Sequence, residues 1–161
     1  MKPFSLLILV ALPIFFANPL VANDLELRQS KFNLKEKSVA LYGFDPVSYF
    51  EETPKVGNES ITFENSGVTY QFSSQANLEK FKTSPEKYEP QFGGWCAYAL
   101  LDGDLVDVNP ERYKIIEGKL YLFYDGIWGN TLKRWNKQAN ASSERTLVET
   151  AHNAWQEKYS K

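Results

Sequence analysis

Two side chains suited to metal or nucleophilic chemistry each occur once in this chain, as Cys96 and His152. Cys96 lies in the stretch QFGGWCAYAL, residues 91–100, directly after two glycines and a tryptophan. A thiol beside an imidazole forms either a reactive thiolate or the beginning of a soft-metal site. The pair therefore predicts metal ligation or thiol chemistry if the fold brings Cys96 and His152 together, which their positions in the sequence leave open.

Cys96 has a second interpretation, because a free cysteine also behaves as a small buried hydrophobic residue. As the only cysteine, it has no partner for an internal disulfide. The preceding Gly93-Gly94 bend favours a pocket, since glycines let the backbone approach a ligand closely. Cys96 is accordingly expected to be either a sealed core residue or the one soft group of a pocket.

Other catalytic patterns are absent from the sequence. It contains no GxSxG elbow, phosphate-binding loop, HExxH, CxxC or dinucleotide fingerprint. Asp45, which precedes Pro46, is typical of a side chain that caps its own loop. With 18 basic and 20 acidic residues, a formal net charge of −2 argues against nucleic acid as a partner.

The amino terminus has the pattern of an export signal. Lys2 precedes an uncharged apolar run over residues 4–16, and small residues follow, so the sequence predicts a secretory signal peptide over 1–22. The run is too short for a comfortable membrane span, so we expect no stable span after cleavage and a periplasmic or secreted protein. We expect residues 23–37 to be a polar lead segment, either flexible or a loosely docked helix, and 38–161 to be a single domain.

Alternating and helical periodicities indicate the elements that must position these residues. Residues 61–72 and 113–124 each predict a β-hairpin, with turns at ENSG and at Glu117-Gly118. Helices are predicted over 73–88 and 128–138, and an amphipathic helix over 142–159. The expected fold is α+β, with a small antiparallel sheet of two hairpins packed with helices.

Three stretches resemble the YHS-domain family: YGFDPVSYF (42–50), GVTYQFSSQANLEKFKTSPEKYEPQFGGWCAYAL (67–100) and VNPERYKIIEGKLYLFY (108–124). They cover most of the predicted domain, and the chain is similar to the exported, stand-alone branch. The resemblance implies a YHS-like fold. Metal-handling members carry cysteines at positions that correspond here to Ser48, Ser73 and Asn77, a weak set of ligands for a soft metal.

The stand-alone branch has the GGxCAY segment instead, so the resemblance implies a ligand site at Gly94, Trp95, Cys96 and Tyr98. It also implies that Asp45, Tyr49 and Tyr70 come close through the fold. We expect an exported binding module that holds a transition-metal ion or small ligand at a Cys96-centred pocket, with Cys96 and His152 as the metal ligands. The alternatives are a protein-interaction domain with a buried Cys96, and a thiol-dependent enzyme.

Overall fold

The computed structural model describes residues 19–51 and 53–159, so most of the predicted signal peptide lies outside the described residues. The helices are α1 (Pro19–Lys31), α2 (Gln75–Thr83), α3 (Pro85–Tyr88), α4 (Thr131–Ala141) and α5 (Glu144–Lys158). The strands are β1 (Leu34–Lys35), β2 (Val39–Ala40), β3 (Asn58–Asn65), β4 (Val68–Phe72), β5 (Asn109–Ile116), β6 (Lys119–Phe123), β7 (Asp125–Gly126) and β8 (Gly129–Asn130).

Both predicted hairpins are confirmed as the antiparallel pairs β3–β4 and β5–β6. The two central turn residues have positive φ in each case, 48° and 77° at Ser66-Gly67 and 49° and 74° at Glu117-Gly118. Two positive φ values define the turn whose twist matches that of the flanking strands. Local sequence therefore sets the register of each hairpin.

The predicted single antiparallel sheet is wrong, although the α+β class is confirmed. The first hairpin belongs to a mixed four-stranded sheet in the order β1-β2-β4-β3, in which β2 runs parallel to β4. The β5–β6 hairpin forms a separate two-stranded sheet, and parallel bridges join β6 to Pro90 and Cys96. Strand alternation specifies partners within a hairpin, but it does not specify which edge a distant segment joins.

Helices occupy the predicted regions with shifted bounds, since the one predicted over 128–138 begins only at Thr131, after β8. Local capping explains where two of the helices begin. The Ser74 Oγ accepts a hydrogen bond from the Asn77 N–H at 3.1 Å, which starts α2. The Asn130 side chain accepts from the Lys133 N–H at 2.9 Å and starts α4 in the same way. No helix within the described ranges is long and apolar enough to cross a membrane.

The core consists of two adjacent clusters. In the first, Phe81 from α2 packs against the buried rings of Tyr70 and Phe72 on β4, with ring centroids 4.7 and 5.3 Å away. The second centres on the fully buried Trp135 of α4, and α5 contributes Leu147 and Ala151 to it. The QFGGWCAYAL stretch supplies residues to both clusters, so it lies between them.

The segment predicted as a polar lead lies against the domain. It contains most of α1 and also β1, which pairs antiparallel with β2 on the other side of the predicted boundary at 37/38. The Phe32 ring lies 6.3 Å from the Trp155 ring of α5, between centroids. The sheet therefore extends into the lead segment.

Candidate functional site

Cys96 lies inside the core. Its exposed fraction is 0%, and its Sγ accepts a hydrogen bond from the Tyr124 N–H at 3.4 Å. The Thr131 hydroxyl lies 3.4 Å from Sγ and donates its own hydrogen to the Tyr124 carbonyl, at 2.9 Å. Because that hydroxyl has a single hydrogen, the Cys96 thiol is the donor to Thr131. The thiol thus links the end of β6 to the start of α4, and it lines none of the cavities described below.

The structure gives Cys96 and His152 different neighbours. His152 packs edge-on against Phe92, with ring centroids 5.0 Å apart. Burial, and then the positive charge of Lys119, lowers the pKa of His152. Within residues 19–51 and 53–159, no group of three or more His, Cys, Asp or Glu side chains is placed to hold a metal ion.

The Gly93-Gly94 bend approaches the chain's own amino-terminal segment. Both glycines have positive φ, 58° and 86°, and a Cβ on Gly93 would lie 2.6 Å from the Phe32 ring. The Gly93 carbonyl accepts from the Asn33 N–H at 2.9 Å, and the Gly94 carbonyl accepts from the Asn33 amide at 3.3 Å. The space opened by the two glycines is therefore filled by residues 32–33.

The aromatic residues on either side of Cys96 have separate roles. The Trp95 indole N–H donates to the Lys31 carbonyl at 2.7 Å and so anchors the end of α1. Tyr98 is half-buried and lines a shallow surface cavity of 360 Å³ together with Arg134 and Lys137 of α4. Trp95 is not among the residues that line this cavity.

Tyr49 is a core residue, with 1% of its surface exposed. Its hydroxyl donates to the Pro110 carbonyl at 2.8 Å, and its ring packs edge-on against Tyr113 at 5.0 Å. Burial, and then the neighbouring Tyr113 and Glu111, raises the pKa of Tyr49 far above its usual value. Its hydroxyl is thus a structural donor.

Asp45 is fully buried, and both oxygens of its carboxylate are hydrogen-bonded. Oδ1 accepts from the N–H groups of Val47 and Ser48, at 2.9 and 3.4 Å. Oδ2 accepts from the Ser73 N–H and hydroxyl, at 2.9 and 2.6 Å, and from the Asn77 amide at 2.8 Å. The predicted loop cap therefore also ties the 45–48 turn to β4 and α2. The three positions that the family resemblance assigns to metal-binding cysteines gather here around a carboxylate that five donors already satisfy.

Tyr70 leads to a second carboxylate, that of Glu89. Its hydroxyl donates to Glu89 Oε1 at 2.9 Å, and the Asn65 amide donates to the same oxygen at 3.0 Å. The Arg28 guanidinium spans both carboxylate oxygens, at 2.5 Å from Oε1 and 3.4 Å from Oε2. Burial, and then the charge of Glu89, raises the pKa of Tyr70 well above its usual value.

Arg28 and Glu89 of this network form one wall of a cleft of 780 Å³, which we call the hairpin-turn cleft. Its other walls are the turn of each hairpin, at Asn65-Ser66 and Gly118-Lys119, and the junction of α2 with α3, residues 83–87. Arg28 and Glu89 are 16% and 14% exposed, so the pair is shielded without being sealed. Segments far apart in the sequence thus meet at one polar cleft.

Comparison of the chain with protein-family models, with curated proteins and with solved structures returned no match. The site must therefore be interpreted from its own residues. Sequence reasoning identified Tyr70 but missed Arg28 and Glu89, which lie 61 positions apart. A lone arginine in a polar helix gives no sequence signal for such a pairing.

Proposed function

We propose that this chain is a small binding module whose ligand is a small polar molecule with an anionic group, held in the hairpin-turn cleft. The observation that carries the proposal is the Arg28–Glu89 pair, which forms one wall of a polar cleft of small-molecule size. The volume of 780 Å³ falls within the range of about 300–1,000 Å³ that is usual for ligand sites.

The charges of the cleft favour an anion. Its lining carries three basic side chains against two acidic ones, on a chain whose formal net charge is −2. Arg28 and Glu89 neutralise each other, which leaves Lys87 and Lys119 facing Glu86. Lys119 donates to the Glu86 carbonyl at 3.2 Å, and Lys87 lies 4.9 Å from the centroid of the Tyr88 ring, contacts that leave both ammonium charges in place.

We also propose that the protein is exported and has a YHS-like fold. The apolar run over residues 4–16 supports export to the periplasm or the medium, and the motifs at 42–50 and 67–100 support the fold, with α5 as its amphipathic carboxy-terminal helix. A Cys96-centred site for a transition-metal ion has weaker support, because the Sγ is fully buried and hydrogen-bonded on both sides.

Thermal unfolding with defined probes tests the proposal. We expect citrate, glucose 6-phosphate or inorganic phosphate, but not glucose, to raise the melting temperature at millimolar concentration. A ligand at 100 times its Kd stabilises the folded state by about 2.7 kcal/mol. The double variant Lys87→Gln/Lys119→Gln should lose this response.

Multivalent anions also stabilise proteins without a site, by exclusion from the surface. The matched control is Lys80→Gln/Lys82→Gln, which removes the same charge from exposed positions of α2. If both variants respond to every anion as the wild type does, or if no anion acts on the wild type, the proposed site is wrong.

A further inference from the structure

An exposed apolar tip lies between β7 and β8. Ile127 and Trp128 are 90% and 69% exposed, and we call these two residues the Trp128 tip. Isolated exposed apolar residues are common, whereas contiguous exposed apolar surface marks interaction sites, and here two large apolar residues are consecutive on one turn.

The tip is held in place by its neighbours. The Trp128 ring stacks on Tyr124, with centroids 5.6 Å apart and the planes 29° from parallel. The Arg134 guanidinium donates to the Trp128 carbonyl at 2.5 Å, which ties the tip to α4. The indole is therefore presented to solvent by a fixed hairpin.

The helix beside the tip is basic. Residues 131–141, TLKRWNKQANA, include Lys133, Arg134 and Lys137, all exposed, and no acidic residue. Arg134 and Lys137 line the 360 Å³ cavity that also includes Tyr98. The acidic side chain on β7, Asp125, is bound by Arg112 at 2.7 Å. This basic face stands out on a chain of formal net charge −2.

We propose that the Trp128 tip and the basic face of α4 (Lys133, Arg134 and Lys137) bind a membrane surface that contains anionic phospholipids. Tryptophan is suited to the headgroup level, where its ring contacts acyl chains and its N–H remains hydrated. Lysine and arginine near the surface attract the lipid phosphates. A folded protein partner is less favoured, because two protruding side chains do not form the surface of about 800 Å² per partner that a stable interface needs.

This surface shares no lining residue with the hairpin-turn cleft, so the inference does not depend on the proposed ligand. It requires no membrane-spanning helix, because the contact is peripheral. The electrostatic part of this binding weakens as salt screens the charges, whereas the apolar contact of the tip does not.

Co-sedimentation of the purified protein with vesicles tests the inference. The vesicles are phosphatidylglycerol and phosphatidylcholine at 1:3, compared with phosphatidylcholine alone. Because residues 4–16 are themselves apolar, intact mass must first show that all variants have the same amino terminus. We expect the wild type to bind the anionic vesicles more tightly and to dissociate as salt is raised.

Two variants separate the parts of the surface. Ile127→Ser/Trp128→Ser should weaken binding about tenfold or more. Lys133→Gln/Lys137→Gln should weaken it about fivefold for each charge removed. Trp128→Phe and Lys133→Arg/Lys137→Arg should retain most of the affinity, which distinguishes loss of contact from loss of fold.

Matched controls lie elsewhere on the surface. Val56→Ser removes another exposed apolar residue, and Lys80→Gln/Lys82→Gln removes two exposed charges, and neither should change vesicle binding. Equal binding to neutral and anionic vesicles, or tip variants that bind as the wild type does, would overturn the inference. Tip-dependent dimers in sedimentation velocity, without vesicle binding, would also overturn it and assign the surface to a second copy.

Discussion

Asp45 and Glu89 are two shielded carboxylates that are held in different ways. Asp45 is fully buried and accepts five hydrogen bonds from neutral donors on two nearby stretches of chain, residues 47–48 and 73–77. Glu89 is 14% exposed and is held by the guanidinium of Arg28, which belongs to a separate amino-terminal helix. One carboxylate is closed off from water, and the other faces a cleft.

The difference indicates separate roles for the two regions. A buried carboxylate whose lone pairs are satisfied by neutral donors organises the backbone and has no capacity left for a ligand. A shielded ion pair at a cleft wall can exchange part of its bonding with water or a ligand. Asp45 therefore has a structural role, and the proposed ligand recognition falls to the surroundings of Glu89.

Replacement of Asp45 should have the largest effect on stability. Asp45→Asn places an amide N–H₂ against N–H and hydroxyl donors, and we expect a loss of about 3–5 kcal/mol of unfolding free energy in urea. Asp104→Asn, at an exposed position, is the control and should change little. An unfolding midpoint in urea equal to that of the wild type would show that the hydrogen bonds to the Asp45 carboxylate contribute little to stability.

The Arg28–Glu89 pair should contribute less to the free energy of unfolding than Asp45 does, because water reaches the pair. A double-mutant cycle with Arg28→Gln and Glu89→Gln should give a coupling energy of about 1–2 kcal/mol. Loss of the pair should also increase amide hydrogen exchange in α1, since Arg28 ties that helix to the domain.

The exposed pair Arg145–Glu149 provides the control cycle for this comparison. Its charges are screened by solvent, so we expect no measurable coupling. A coupling at Arg28–Glu89 as small as at the control pair would remove the distinction between a shielded pair and a surface pair.

Like Asp45, Cys96 is fully buried, and its buried group is a thiol. Because Sγ is fully buried, a thiol reagent such as DTNB should modify it only as fast as the protein opens, and in full only in denaturant. Cys96→Ser should cost about 1–2 kcal/mol, and Cys96→Ala a similar amount or less. Rapid stoichiometric modification of the native protein would instead show that the Cys96 thiol is accessible and could take part in ligand binding.

The smallest effect should be a pH dependence at His152. Burial and Lys119 lower its pKa in the folded state, so the unfolded chain binds the proton more readily. Stability from this group is therefore complete above the unfolded pKa of about 6.5 and is lost as pH falls through the lower folded value.

Melting temperatures of the wild type and His152→Gln between pH 7.5 and 5 measure the contribution of the His152 imidazole to stability. We expect the wild type to lose more stability than the variant over this range. Lys119→Gln should reduce the loss without removing it, because burial is the larger cause. Parallel curves for wild type and His152→Gln would show that the imidazole is equally easy to protonate in both states.

Sequence patterns predicted the local elements well. The turns at Ser66-Gly67 and Glu117-Gly118 and the α+β class follow from residue types within a few positions of each other. The common sheet for both hairpins was wrong, because its strand order depends on where β2 meets β4. Periodicity contains no information about that long-range contact.

The candidate site was harder to predict, for the same reason. The predicted residues Gly94, Trp95 and Cys96 contact the chain's own residues 31–33 or the core. Tyr70 is fully buried and reaches the cleft only through its hydrogen bond to Glu89, and no sequence pattern joins it to Glu89 or Arg28. A polar lead segment with few apolar positions was not expected to supply a guanidinium to a site on the domain.

The sequence by itself determined the hairpins, the helix caps and the cap at Asp45, because these depend on backbone geometry and on side chains within a few residues. The tertiary structure decided that Cys96 is sealed between two core clusters and that Arg28 meets Glu89 across 61 positions. It also decided that Trp128 stays exposed beside a basic helix. Burial and charge pairing depend on which distant surfaces meet, and only the packed chain specifies those contacts.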